Sequence, residues 1–133
     1  MQYTPLETQL HPGTEKRLAA MEGLPAGGDL PYFNVEWSGE GASIAVGWPG
    51  QWAAQFIRDE ANGLRLRAGQ GLTHCRLLPS EEVRTPLIAM LFWGGDWIRS
   101  QNIWRRWMIA HNLPRPGGKL PPPQLEASSS AQY

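Results

Sequence analysis

The stretch YFNVEWSGEGASIAVGWPGQWAAQFI, residues 32–57, carries three β-strand signals in succession. Tyr32, Phe33, Val35 and Trp37 form an aromatic and β-branched run, with Asn34 and Glu36 between its last members, as a half-buried strand requires. Ser38-Gly39-Glu40-Gly41 has the composition of a hairpin turn, and residues 42–48 then set Ile44, Val46 and Trp48 among small side chains. Pro49-Gly50 is a turn dipeptide, because proline presets φ for the first corner and glycine accepts a positive φ at the second. Residues 51–57 predict a third strand with Trp52 and Phe56 on one face.

Toward the C-terminus the rhythm continues. A polar connection at residues 58–63 leads to Leu64-Arg65-Leu66-Arg67, a strict period-two strand with two cations on its wet face. Gly69-Gln70-Gly71 turns into a strand expected over residues 72–78, and Pro79-Ser80-Glu81-Glu82 turns again. Residues 83–93 are the most apolar run and predict a strand buried on both faces, bounded by Gly94-Gly95. Short strands with turn signals every 8–12 residues indicate an antiparallel sandwich, not a βαβ sheet. Past Gly95 the period changes: Asp96 is an N-cap, and Trp97, Gln101, Trp104, Met108 and His111 fall on one helical face, ahead of a stop at Asn112. Residues 114–123 form a stiff Pro/Gly linker and residues 128–130 a small polar tail. On the N-terminal side, residues 1–29 read as irregular, broken at Pro5, Pro12-Gly13, Pro25 and Gly27-Gly28, with a short helical stretch over residues 15–21. The expected fold is mainly β, an antiparallel β-sandwich with one C-terminal α-helix and a Pro-rich tail. Its segments are irregular 1–29, sandwich core 30–95, linker helix 96–113 and tail 114–133.

The 133 residues fit one domain. Twelve basic and twelve acidic side chains cancel, which argues against a dedicated nucleic-acid binder, although Arg65, Arg67 and Arg76 stand near aromatics. The charge is unevenly placed, net −5 over residues 1–60 and net +5 over residues 61–133, so the two halves attract each other or present a basic face to a partner. The single Cys75 rules out an internal disulfide, and three scattered histidines give no zinc-type cluster, so no metal or cofactor is expected. No apolar stretch approaches the roughly 18 residues of a membrane span. With no signal-peptide pattern at the N-terminus, a cytoplasmic location is favoured.

Catalytic constellations are not expected in this sequence. Asp59-Glu60 and Glu81-Glu82 are neighbouring acids in turns, pointing apart and solvated rather than facing each other across a substrate. His74 and Cys75 are adjacent in an expected strand, so their side chains face opposite ways and do not form a nucleophile–base pair. The Trp48-Pro49-Gly50-Gln51-Trp52 segment differs: apolar sugar faces stack on aromatic rings while amides bond the hydroxyls. Trp48, Gln51, Trp52 and Asn34 are therefore candidate carbohydrate contacts, although a tryptophan pair beside a turn also fits core plus rim. On the helix, Trp97, Trp104, Trp107 and Met108 are candidate docking residues.

LPYFNVEW (residues 30–37), SIAVGWPGQWAAQF (43–56), GLRLRAGQ (63–70), EEVRTPLIAMLFW (81–93) and QNIWRRWMIAHNLPRP (101–116) together resemble the segment before the catalytic barrel in α-galactosidase-like proteins of glycoside hydrolase family 36. The most specific pieces are the G-W-x-G-Q-W turn and the helix ending in N-L-P-R-P. The resemblance implies a large, supersandwich-like N-terminal β-sandwich, a linking helix, and then a (β/α)8 barrel that supplies an aspartate nucleophile and an aspartate acid/base. Asp29, Asp59 and Asp96 all precede the point where that barrel would begin, so no catalytic residue is implied in this chain. The implied role is to brace a barrel of the same or a neighbouring chain, to line the rim of its sugar pocket through Trp48 and Trp52, and to join homo-oligomer contacts. Residues 121–130 read as the lead-in to a first barrel strand, so a fragment of a longer protein is expected. The alternative is a stand-alone carbohydrate-binding β-sandwich module.

Overall fold

The computed structural model describes residues 6–123, in which seven antiparallel strands form two sheets and one helix follows them. The strands are β1 (Glu15–Met21), β2 (Leu24–Gly28), β3 (Tyr32–Trp37), β4 (Glu40–Gly47), β5 (Trp52–Arg58), β6 (Leu64–Gln70) and β7 (Leu87–Gly94), and α1 spans Trp97–His111. One sheet runs β2-β1-β5-β6 and the other β3-β4-β7. The mainly-β fold with a C-terminal helix is as the sequence predicts, and the sandwich-like packing is consistent with it.

Local chemistry sets the hairpins. Met21 pairs with Leu24 across Glu22-Gly23, and Trp37 pairs with Glu40 across Ser38-Gly39. Both loops have two residues, and all four φ angles are positive (57° and 72°, 47° and 78°), as a type I′ turn needs to match the strand twist. The β5–β6 loop is closed by Asp59, whose carboxylate accepts from the backbone N–H groups of Ala61 and Gly63 at 2.9 Å each.

The Pro49-Gly50 turn does not close a hairpin but carries the chain from one sheet to the other. That crossing turns Trp52, Ala54 and Phe56 of β5 inward while Ala53, Gln55 and Ile57 stay on the outer face. Trp52 is fully buried. The core joins Ala20, Trp52, Ala54 and Phe56 of the four-stranded sheet to Val46 of β4, with Phe33, Val35, Leu18, Leu66 and Trp48 packed around them. Phe33 meets the Phe56 ring edge-on at 5.1 Å between centroids, a favoured aromatic geometry. Side chains alternate along β3 and β4, so Tyr32, Asn34 and Ser43 lie on the opposite face of their sheet, where α1 packs.

Three expectations about elements are corrected. Residues 15–21 are strand β1, not helix, and β1 with β2 gives the segment read as irregular a place in the sheet. Glu, Lys, Arg, Leu, Ala and Met favour helix, but β5 and β2 each offer a ladder of backbone partners, and tertiary pairing overrides propensity. Residues 72–78 form no strand and are exposed throughout, and among the described residues no sheet edge pairs with them. The apolar run 83–93 begins as a strand only at Leu87, and it is not buried on both faces: Leu87, Met90 and Phe92 are 74%, 48% and 68% exposed, while Trp93 is buried. The polar tail expected at residues 128–130 lies outside the described residues.

Candidate functional site

The outer face of the three-stranded sheet is where the helix is held. Asp96 caps α1, its carboxylate accepting from the Arg99 N–H at 2.7 Å, and the Asn112 N–H closes the other end onto the Met108 carbonyl at 2.9 Å. One turn into the helix, Ser100 is fully buried. Its hydroxyl donates to the Trp97 carbonyl at 2.6 Å and accepts from Asn34 Nδ2 at 3.0 Å. Asn34 Oδ1 in turn accepts from the hydroxyl of Ser43, also fully buried, at 2.7 Å. This relay fixes one helix position to both β3 and β4, in a place where an unpaired polar group is costly.

A second contact runs alongside. The Tyr32 hydroxyl donates to Gln101 Oε1 at 2.8 Å. The Tyr32 ring lies 5.3 Å from Trp104, Trp104 stacks on Trp107 at 5.2 Å, and Trp107 meets His111 at 5.5 Å. Four rings thus follow the helix from sheet to C-terminus. Burial in this layer pushes the Tyr32 phenol above its ordinary value of 10.0.

These contacts redistribute the candidate residues. Trp52 has no ring face to offer a sugar, since it is fully buried and its indole N–H donates to the Pro25 carbonyl at 2.7 Å. Asn34 is committed to the two serines rather than to solvent. Trp48 is half-buried against the core, and exposed Gln51 accepts from the Gly23 N–H at 3.2 Å, so these two alone of the four keep surface at the crossover turn. Of the docking set, Trp104 and Trp107 belong to the ladder on this domain's own Tyr32, whereas Trp97 and Met108 remain exposed beside Ile98 and Ile109.

Two shallow grooves flank the start of the helix. One of about 390 Å3 lies against Ile98, Arg99, Asn102 and Arg106; the other, of about 300 Å3, lies between Trp37, Glu40, Phe92 and Trp93. Both open widely to solvent, unlike the concave sites that enclose small ligands. Exposed Cys75 and the neighbouring His74 lie in the irregular segment between β6 and β7. Among the described residues no three His, Cys, Asp or Glu side chains gather as metal ligands, and no helix is long and apolar enough to cross a membrane.

The sequence reading missed the open side of β7. Ile88, Met90 and Phe92 share a face with the buried Val46, Ile44 and Ala42 of β4 but extend beyond the cover of the second sheet. A run of apolar residues marks burial or a docking face equally, and strand order decides between them. In comparisons with protein-family models, curated proteins and solved structures, no match to this chain was found. None of these comparisons links the chain to glycoside hydrolase family 36.

Proposed function

We propose that this chain is a non-catalytic β-sandwich with a linking helix that braces the catalytic (β/α)8 barrel of an α-galactosidase-like glycoside hydrolase. The observation that carries the reading is the seating of α1. Its inner side is tied to the sheet through Ser100, Gln101 and Trp104, while Trp97, Ile98, Met108 and Ile109 stay between 38% and 54% exposed. A rigid helix bearing several half-exposed large apolar side chains suits a fixed joint between two folded units, because little ordering entropy remains to be lost on docking. The motifs G-W-x-G-Q-W and N-L-P-R-P supply the family of the barrel.

The test is to titrate the purified protein into a separately produced α-galactosidase barrel. Binding that protects the barrel against heat and weakens at least about tenfold in a Trp97→Ser, Met108→Ser variant is expected. A barrel whose stability and turnover ignore the added domain would overturn the proposal. A second reading, a carbohydrate-binding module, is favoured by half-exposed Trp48 beside exposed Gln51. Saturable quenching of tryptophan fluorescence by galactosides, lost in Trp48→Ala, would select it.

A further inference from the structure

The four sheet edges of this fold are unequal. An edge strand presents unpaired backbone N–H and C=O groups, and soluble proteins blunt it with proline, charge, bulges or brevity. β2 is five residues long, contains Pro25, and its pairing with β1 shifts register between Ala20 and Met21. β6 carries Arg65 and Arg67, and β3 carries Glu36 and follows Pro31. β7 also follows a proline, Pro86, but none of these devices lies within the strand itself. It pairs with β4 in unbroken register over eight residues, LIAMLFWG, without proline or charge. Among the described residues no backbone hydrogen bond reaches its other side.

Beside this bare edge the apolar layer is unfinished. Ile88, Met90 and Phe92 are 36%, 48% and 68% exposed, whereas their β4 partners Val46, Ile44 and Ala42 are each 3% exposed. The uncovered strip thus continues the interface between the two sheets. The helix does not obstruct it, because α1 is bonded to the opposite face through Asn34 and Ser43.

We propose that β7 is the seam of a symmetric dimer: the β7 strands of two copies pair antiparallel across a two-fold axis at Met90 and join the two three-stranded sheets into one. The occupant of the edge has to be an extended strand, apolar at alternate positions and free of charge, and β7 itself meets that description. An antiparallel pairing of like strands is self-complementary and closes after two copies. Side chains alternate, so only registers that place even-numbered residues opposite even-numbered ones keep the apolar strip on one side. Centring on Met90 sets Phe92 opposite the partner's Ile88 and Met90 opposite the partner's Met90, which are favourable cross-strand pairs. A shift of one position at the axis, to Leu91, would leave Ile88 facing the partner's Gly94.

The experiment combines mass with register, using the full chain. In sedimentation equilibrium at tens of micromolar the protein is expected to be a dimer. Met90→Lys, at a half-exposed position, is expected to keep the circular dichroism of the fold and to weaken association at least about tenfold. In a Cys75→Ser background, Met90→Cys is expected to oxidise to a covalent dimer. Ile88→Cys and Phe92→Cys are each expected to cross-link poorly alone and efficiently when mixed. A monomeric wild-type protein, as would be found if a foreign strand is the natural occupant, overturns the proposal, as does a dimer untouched by Met90→Lys or a cross-linking pattern indifferent to position. Failure here leaves the barrel-bracing role unaffected, because that role uses the exposed side chains near the two ends of α1, Trp97, Ile98, Met108 and Ile109, and not β7.

Discussion

Replacing Asn34 by alanine removes the bond that ties Ser100 of helix α1 to the sheet and the bond that ties Asn34 to Ser43 within that sheet, leaving Tyr32–Gln101 in place. The Ser43 hydroxyl, fully buried, loses the acceptor it reaches at 2.7 Å, and Ser100 loses the donor at 3.0 Å. A buried group stripped of its partner costs about 1–3 kcal/mol. Ser100 keeps its bond to the Trp97 carbonyl, so its share lies near the lower bound. The expected loss is therefore about 2–4 kcal/mol, a large part of the roughly 5–15 kcal/mol that holds a typical domain together. For a chain of this length it corresponds to a fall in Tm on the order of 10 °C. Urea unfolding followed by tryptophan fluorescence and far-ultraviolet circular dichroism measures it, and a cycle with Ser100→Ala isolates the pairwise part, expected at about 1 kcal/mol. An Asn34→Ala protein within about 0.5 kcal/mol of wild type, or a cycle with no coupling, would refute the assignment of Asn34 as a tie between Ser100 of the helix and the sheet.

Other consequences are as accessible. Trp52 and Trp93 are both buried, but the Trp52 indole N–H is paired with Pro25 while that of Trp93 has no partner among the described residues. Trp52→Phe is expected to cost at least about 1 kcal/mol more than Trp93→Phe in parallel denaturation curves; equal costs would contradict the pairing. Gly41→Ala drives a methyl group into the Trp93 ring and the Val35 carbonyl, for an expected loss of about 1–3 kcal/mol. At Gly39 the space is open and only the positive φ resists, so the same change there is expected to be the milder. Burial raises the Tyr32 phenol in the folded state, so its protonated form is the one folding favours. That contribution is complete below pH 10 and is lost as pH rises through the folded-state value, and a Tyr32→Phe protein should show a flatter alkaline stability profile.

Strand positions were legible wherever the pattern was local. The alternation in residues 32–57 and 64–67, the turn glycines and the Asp96 cap each encode their element through nearby chemistry. β1 was not legible, because EKRLAAM satisfies a helix and becomes strand only through partners on β2 and β5. The run ending in Trp93 announced its apolarity but not its place at an edge, which depends on which strands lie beside it. The candidate site was legible in composition only. Nothing in the spacing of Trp48, Gln51, Trp52 and Asn34 distinguishes a ring facing outward from one turned inward by a sheet crossover, and hydrogen bonds to Pro25 and Ser100 decided two of the four. The ladder of Trp104 and Trp107 could be anticipated from their helical spacing, but its first rung, Tyr32, comes from a strand far away in sequence.

The strand order also dictates a sequence of events in folding. β1–β2, β3–β4 and β5–β6 are neighbours along the chain and close short loops, so each can form early and by itself. The pairings β1–β5 and β4–β7 join residues as distant as Glu40 and Gly94, and the entropy of closing those long loops falls on the transition state. On the ribosome the three-stranded sheet must wait for β7 to emerge, leaving the β3–β4 hairpin without its third strand during much of synthesis.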